Sequence, residues 1–125
     1  MIVRRLFRRQ NNHAATDARR LGNVLDLDHL SRQTLGNLAL EREVLGLFVE
    51  HADRQVALIR AAEDVGARRE AAHALLGAAR AIGASKISNL AAEIEQREDC
   101  ADAAIDALAR AVAATNSFIN ARLAG

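Results

Sequence analysis

The stretch "EAAHALLGAARAIGAS", Glu70 to Ser85, decides how this chain is read. Alanine and leucine are strong helix formers, and the apolar positions recur at three- and four-residue steps. A histidine, two glycines and an arginine interrupt the pattern. On a helix of about 100° per residue with His73 as origin, Ala71, Leu75, Ala78 and Ile82 fall between about 140° and 200° and form a stripe predicted to be buried. Arg69, Gly77, Arg80 and Ala84 fall within about 40° of the histidine, and Leu76 about 60° to one side, on the flank of the exposed stripe. His73 is therefore predicted to face solvent.

Glycine inside a helix costs about 0.8 to 1 kcal/mol relative to alanine. Gly77 accepts that cost one turn beyond the histidine, on the same face. The absence of a side chain there lets another macromolecule's reactive group approach the imidazole, and Arg80 adds positive charge beside it. Neutral imidazole is a nucleophile near pH 7 and its N-phosphoryl product is anionic, so the arrangement suits a phosphate-carrying histidine. A helical adaptor surface fits the same residues.

Working outward, the composition is that of an all-helical domain. The 125 residues include no proline, seven glycines, three phenylalanines and no tryptophan or tyrosine, and half are apolar. A domain of this size buries roughly two-thirds of its unfolded surface and needs no cross-links. Cys100 is the single cysteine, so an internal disulfide is excluded and a reduced, cytoplasmic setting is expected. His13, His29, His51 and His73 lie far apart, none at metal-ligand spacing, and no metal site is expected. His51, among Glu50 and Asp53, reads as a solvated residue, and His29 as part of a short first helix. The formal charge of +1 divides into +5 for residues 1–22 and −4 for the remainder. "VRRLFRR" near the start could touch an acidic surface, but reads more simply as a solvated, flexible extension. No run is apolar enough to span a bilayer, and a soluble protein is expected.

Residues 23–125 read as one domain. Asp26 or Asp28 caps a short helix ended by Gly36-Asn37. A long amphipathic helix between Leu38 and Ala62 follows, with Leu45, Phe48, Ala52, Val56 and Ile59 inward. "EDVGA" breaks the pattern, with Asp64 as the next cap, and the opening stretch runs to about Ile82. Ser85 is expected to cap a helix burying Ile87, Leu90, Ala91 and Ile94. Asp99 is expected to cap the last, with Ile105, Leu108, Val112, Ile119 and Leu123 inward. Short connections favour antiparallel neighbours, giving an up-and-down four-helix bundle with a short extra N-terminal helix.

"HALLGAARAIGA" resembles the motif of the histidine-containing phosphotransfer (HPt) domain family, approximately H-x-L-K-G-x-x-x-x-x-G-A, with His73, Leu75, Gly77, Gly83 and Ala84 in register. The likeness extends over roughly residues 24 to 122. It implies a four-helix bundle with an exposed histidine midway along one helix, exchanging phosphate with receiver-domain aspartates of response regulators or hybrid kinases in a two-component phosphorelay. His73 would be the phospho-accepting residue, and Arg69, Leu76, Gly77, Arg80 and Ala84 its phosphate environment and docking surface. The chain would be a stoichiometric, monomeric carrier without an ATP site or cofactor of its own, magnesium belonging to the receiver. Nucleic acid is not an expected partner. The motif's lysine is replaced by Leu76, and Arg80, with Arg69, is expected to compensate its charge. Two other functions stay open: a receiver- or kinase-binding module that has lost transfer, and a dimerisation-type histidine kinase scaffold, to which Glu70, three residues before His73, is a pointer.

Overall fold

The computed structural model describes residues 24–125, and these are helical, with no strand among them. The helices are α1 (Leu27–Gln33), α2 (Leu38–Ala61), α3 (Val65–Ile82), α4 (Ser85–Gln96) and α5 (Asp102–Ala124). The arginine-rich segment 1–22 lies outside the described residues.

Three helices start on the side-chain caps that the sequence offers. Asp26 Oδ1 accepts from His29 N at 3.0 Å, Asn37 Oδ1 from Leu40 N at 3.0 Å and Asp64 Oδ1 from Ala67 N at 2.7 Å. Each satisfies one otherwise orphaned amide of a first turn. Asn37 thus opens α2 rather than closing α1. The chain turns between them through Leu35 and Gly36, both in the left-handed region (φ 55° and 73°).

The other two starts differ from expectation. Ala84 is the N-cap of α4 and Ala101 that of α5, and neither provides a side-chain cap. Ser85 already lies inside α4, where its carbonyl accepts from the Ser88 hydroxyl at 2.9 Å. Asp99 stands two residues too early. α4 therefore begins on packing and on the geometry of the corner before it.

That corner centres on Gly83, whose φ of 81° ends α3 in the left-handed conformation. Ala84 N donates to Ala79 O at 2.9 Å, and Asp26 N donates to Gly83 O at 3.0 Å. A Cβ at position 83 would sit 2.9 Å from Asp26 Cβ and 3.3 Å from His29 Cδ2. Glycine is required here twice, for its φ and for the close seat of α1 on the end of α3.

The core joins all four long helices. Leu45, Phe48, Ala52 and Ile59 of α2 meet Leu75, Ala79 and Ile82 of α3, Ile87, Ala91 and Ile94 of α4, and Leu108, Val112 and Ile119 of α5. α3 packs on α2 and α4, and α5 on α2 and α4, so the four close into a ring. Fully buried Ala52, Ala72, Ala79 and Ala91 allow close approach of the helix backbones. Polar ties between α2 and α5 run in opposite chain order: Glu41 to Arg122 at 3.0 Å, Asp53 to Asn116 at 3.0 Å and Arg60 to Asp106 at 2.9 Å. Arg42 also donates to Leu123 O. None of the described helices is long and apolar enough to cross a membrane.

Candidate functional site

His73 lies at the middle of α3 with 73 % of its side chain exposed. α3 turns this side outward because its opposite face carries Ala71, Leu75, Ala79 and Ile82, all buried. The exposed face predicted from the wheel is real at its centre.

The imidazole has a partner that the motif does not contain. His73 Nδ1 lies 2.8 Å from Glu95 Oε2, on the last turn of α4. Glu95 is more shielded than the histidine, with 29 % of its side chain exposed. An Nδ1–H that donates to this carboxylate fixes both the tautomer and the orientation of the ring, leaving the Nε2 lone pair for chemistry. The register that creates the pair is set by the corner at Gly83-Ala84. His73 stands ten residues before Gly83 and Glu95 eleven after Ala84, so two antiparallel helices folded there bring them level. Arg68 Nη2 donates to the carbonyls of Arg97 and Glu98 at 2.8 Å each and holds the far ends of the two helices in that register.

Gly77 follows one turn later on the exposed face, and nothing lies within 4 Å of where its Cβ would be. The intramolecular packing therefore does not require glycine there. Arg80 is exposed on the same face another turn along, and Arg69, one turn before the histidine, is half-buried.

Two residues assigned to this face by the wheel are not on it. Leu76 is buried, 5 % exposed, because the flank on which it lies is covered by α4; a leucine at the motif's lysine position becomes core. Ala84 is fully buried, since α3 ends at Ile82 and the left-handed Gly83 turns the chain inward instead of continuing the helix. Neither offers surface to phosphate or partner. The motif thus divides into surface residues, His73 and Gly77, and residues that build the corner and core, Leu75, Gly83 and Ala84.

His51 also departs from its expected solvated position. It is half-buried between α2 and α3, with Nε2 3.4 Å from Ala74 O. It lines a groove of about 380 Å³ with Val44, Leu47, Phe48, Ala74 and Ala78. Through Ala74 and Ala81 this groove borders the His73 face. Among the described residues there is no group of three or more His, Cys, Asp or Glu side chains placed to hold a metal ion.

Glu95 could have been found without coordinates, by reflecting His73 across the "GAS" corner onto the next helix. No local motif marks it, because the pair is made by register rather than by sequence neighbourhood.

No match was found among curated proteins or among solved structures. The model of the Hpt domain family matches residues 43–118, more than half of the chain, including all of α3 and α4 with His73, Gly77 and Glu95. On that match, and with an exposed histidine at the centre of a helical bundle, the chain belongs to the Hpt domain family.

Proposed function

We propose that this chain is a phosphocarrier of a two-component phosphorelay, accepting a phosphoryl group on Nε2 of His73 from a receiver-domain aspartyl phosphate and returning it to such an aspartate. The observation that carries the reading is the exposed imidazole held through Nδ1 by Glu95. In the forward step the Nε2 lone pair attacks phosphorus, the P–O bond to the receiver's carboxylate breaks, and that carboxylate leaves with the electron pair. The ring gains positive charge as the Nε2–P bond forms, and the Glu95 carboxylate faces it across the Nδ1 proton. No proton has to be lost for the bond to form. Magnesium, where the transfer uses it, belongs to the receiver, and this chain contributes position and a poised nucleophile.

The docking face in this reading comprises His73, Gly77 and Arg80, bordered by the α2–α3 groove. Open space at Gly77 admits the partner's acyl phosphate to the ring, and the exposed Arg80 compensates the charge of the lysine that Leu76 replaces. Residues 23–125 act as one domain, an up-and-down antiparallel bundle supported by the short corners and the reversed order of the α2–α5 ties, with 1–22 as a separate basic segment. Transfer needs only one copy, since His73 and Glu95 belong to the same chain, and it takes place in the cytoplasm.

The test is transfer of label from a phosphorylated receiver to wild type and to His73→Gln. Wild type is expected to gain acid-labile phosphohistidine and the variant none; equal labelling of both would overturn the proposal. Arg80→Ala is expected to slow labelling without changing helix content. The burial of Leu76 supports a second reading, a receiver-binding module that has lost transfer. That module would bind receivers equally well with and without His73, and neither protein would be labelled.

A further inference from the structure

α2 carries two apolar faces, of which the bundle uses only one. Leu45, Phe48, Ala52 and Ile59 are buried in the core, whereas Leu40, Leu47 and Leu58 are 39 %, 61 % and 50 % exposed. On a helical wheel the three exposed leucines lie within about 20° of one another, on the side of α2 that faces α3. Two grooves run between this stripe and the alanines of α3. One, of about 380 Å³, has Leu47 in its wall; the other, of about 490 Å³, has Leu58, Ala67 and Ala71. Ala74 lines both, so together they follow the length of the helix pair.

We infer that this face is a self-association surface, on which a second copy of the chain docks with its α2 antiparallel to the first. Leu47 and Leu58 are eleven residues apart, about 16 Å along the axis. A two-fold axis passing between positions 52 and 53 exchanges them. Leu47 of each copy then enters the groove beside Leu58 of the other, and each leucine fills the space that its counterpart leaves open. The same axis brings Glu50 of one copy within one residue of Arg54 of the second, an offset of about 1.5 Å along the helix that two long side chains span, and it does so twice; both residues are exposed on the outer flank of the stripe. The antiparallel arrangement that pairs the leucines therefore also places opposite charges near one another, whereas a parallel pair would lay Glu50 beside Glu50. The contact uses the same patch on both copies and closes as a dimer. A lipid surface fits less well, because the rim of this stripe mixes Glu43 and Glu50 with Arg54, where a bilayer-binding helix carries lysine and arginine throughout.

The dimer would cover Ala74 and Ala81, the apolar border of the His73 face. Self-association and docking of a partner on that face would then compete. The association itself does not depend on the phosphate chemistry.

Sedimentation velocity of the full chain, from micromolar to millimolar concentration, tests this. Wild type is expected to pass from the mass of one chain, 13.5 kDa, to that of two. Arg54→Glu alone and Glu50→Arg alone are each expected to weaken the dimer at least about tenfold by placing like charges near one another. The combined Glu50→Arg/Arg54→Glu variant restores complementarity and is expected to return to within about threefold of wild type. A chain that stays monomeric over the whole range, or a double variant no tighter than the single ones, would overturn the inference. Labelling of His73 in the Arg54→Glu variant is read separately, so failure of the dimer and failure of the phosphocarrier reading remain distinguishable.

Discussion

Glu95 makes the two nitrogens of His73 inequivalent. An Nδ1 proton shared with the carboxylate at 2.8 Å leaves the lone pair on Nε2, and it also restrains a ring that is otherwise largely exposed. Glu95→Ala is expected to slow phosphate acceptance roughly fivefold to tenfold, the scale of one partly solvated, charge-assisted hydrogen bond. Nitrogen chemical shifts of the ring would show the tautomers mixing in that variant. Glu95→Gln keeps an acceptor oxygen while removing the charge, so it is expected to preserve the tautomer and still transfer more slowly than wild type. An unchanged rate in both variants would reduce Glu95 to a bystander. Gly77 separates packing from access in a second way. With open space around its Cβ position, Gly77→Ala is expected to stabilise the bundle by about 0.8 to 1 kcal/mol in urea unfolding. Gly77→Gln, equally compatible with the fold, is expected to obstruct transfer from a receiver.

The helices themselves were largely legible in the sequence, because alanine-rich amphipathic segments, the acid caps Asp26 and Asp64 and few glycines all point the same way, whereas Asn37 read as the end of one helix and proves to be the cap of the next. The misplacements share a cause: they fall where a neighbouring element overrides a local pattern. Leu76 sits on a flank that a lone helix would expose, and packing in the bundle buries it. Ala84 follows in the same wheel as the histidine only if the helix continues, and Gly83 stops it. The start of α4 looked like a serine cap, but the turn is already fixed by the Gly83 carbonyl accepting from Asp26 N and by Ala84 N reaching back to Ala79 O. Gly83→Ala, with a positive φ and a Cβ 2.9 Å from that of Asp26, is expected to cost about 2 kcal/mol or more in urea unfolding and to loosen α1 from α3. The histidine could be read from one helix, whereas its glutamate needed two.

Across the whole molecule, stability is tied to pH through a residue far from His73 in sequence. His29 is fully buried where α1 meets the end of α3. Burial pushes its imidazole below the ordinary value of 6.5, with Arg32 adding to the effect, while the Asp26 carboxylate and the backbone of Arg80 and Ala81 pull the other way. The unfolded chain therefore binds this proton more readily than the folded one. Stability from this group is complete above pH 6.5 and is lost as the pH falls below that value toward the folded pKa. Urea midpoints measured from about pH 7.5 down to about pH 5 are expected to decline, and His29→Gln, although less stable throughout, is expected to flatten the decline. A slope unchanged in His29→Gln would assign it to other groups. The corner at Gly83-Ala84 has one more consequence, for tolerance to changes in chain length. A single residue inserted between His73 and Glu95, within either helix, turns everything beyond it by about 100° and carries the glutamate off the imidazole. The same insertion between Ala61 and Val65 leaves the pair untouched, so length variation can accumulate at one end of α3 while the other end is held to a fixed count.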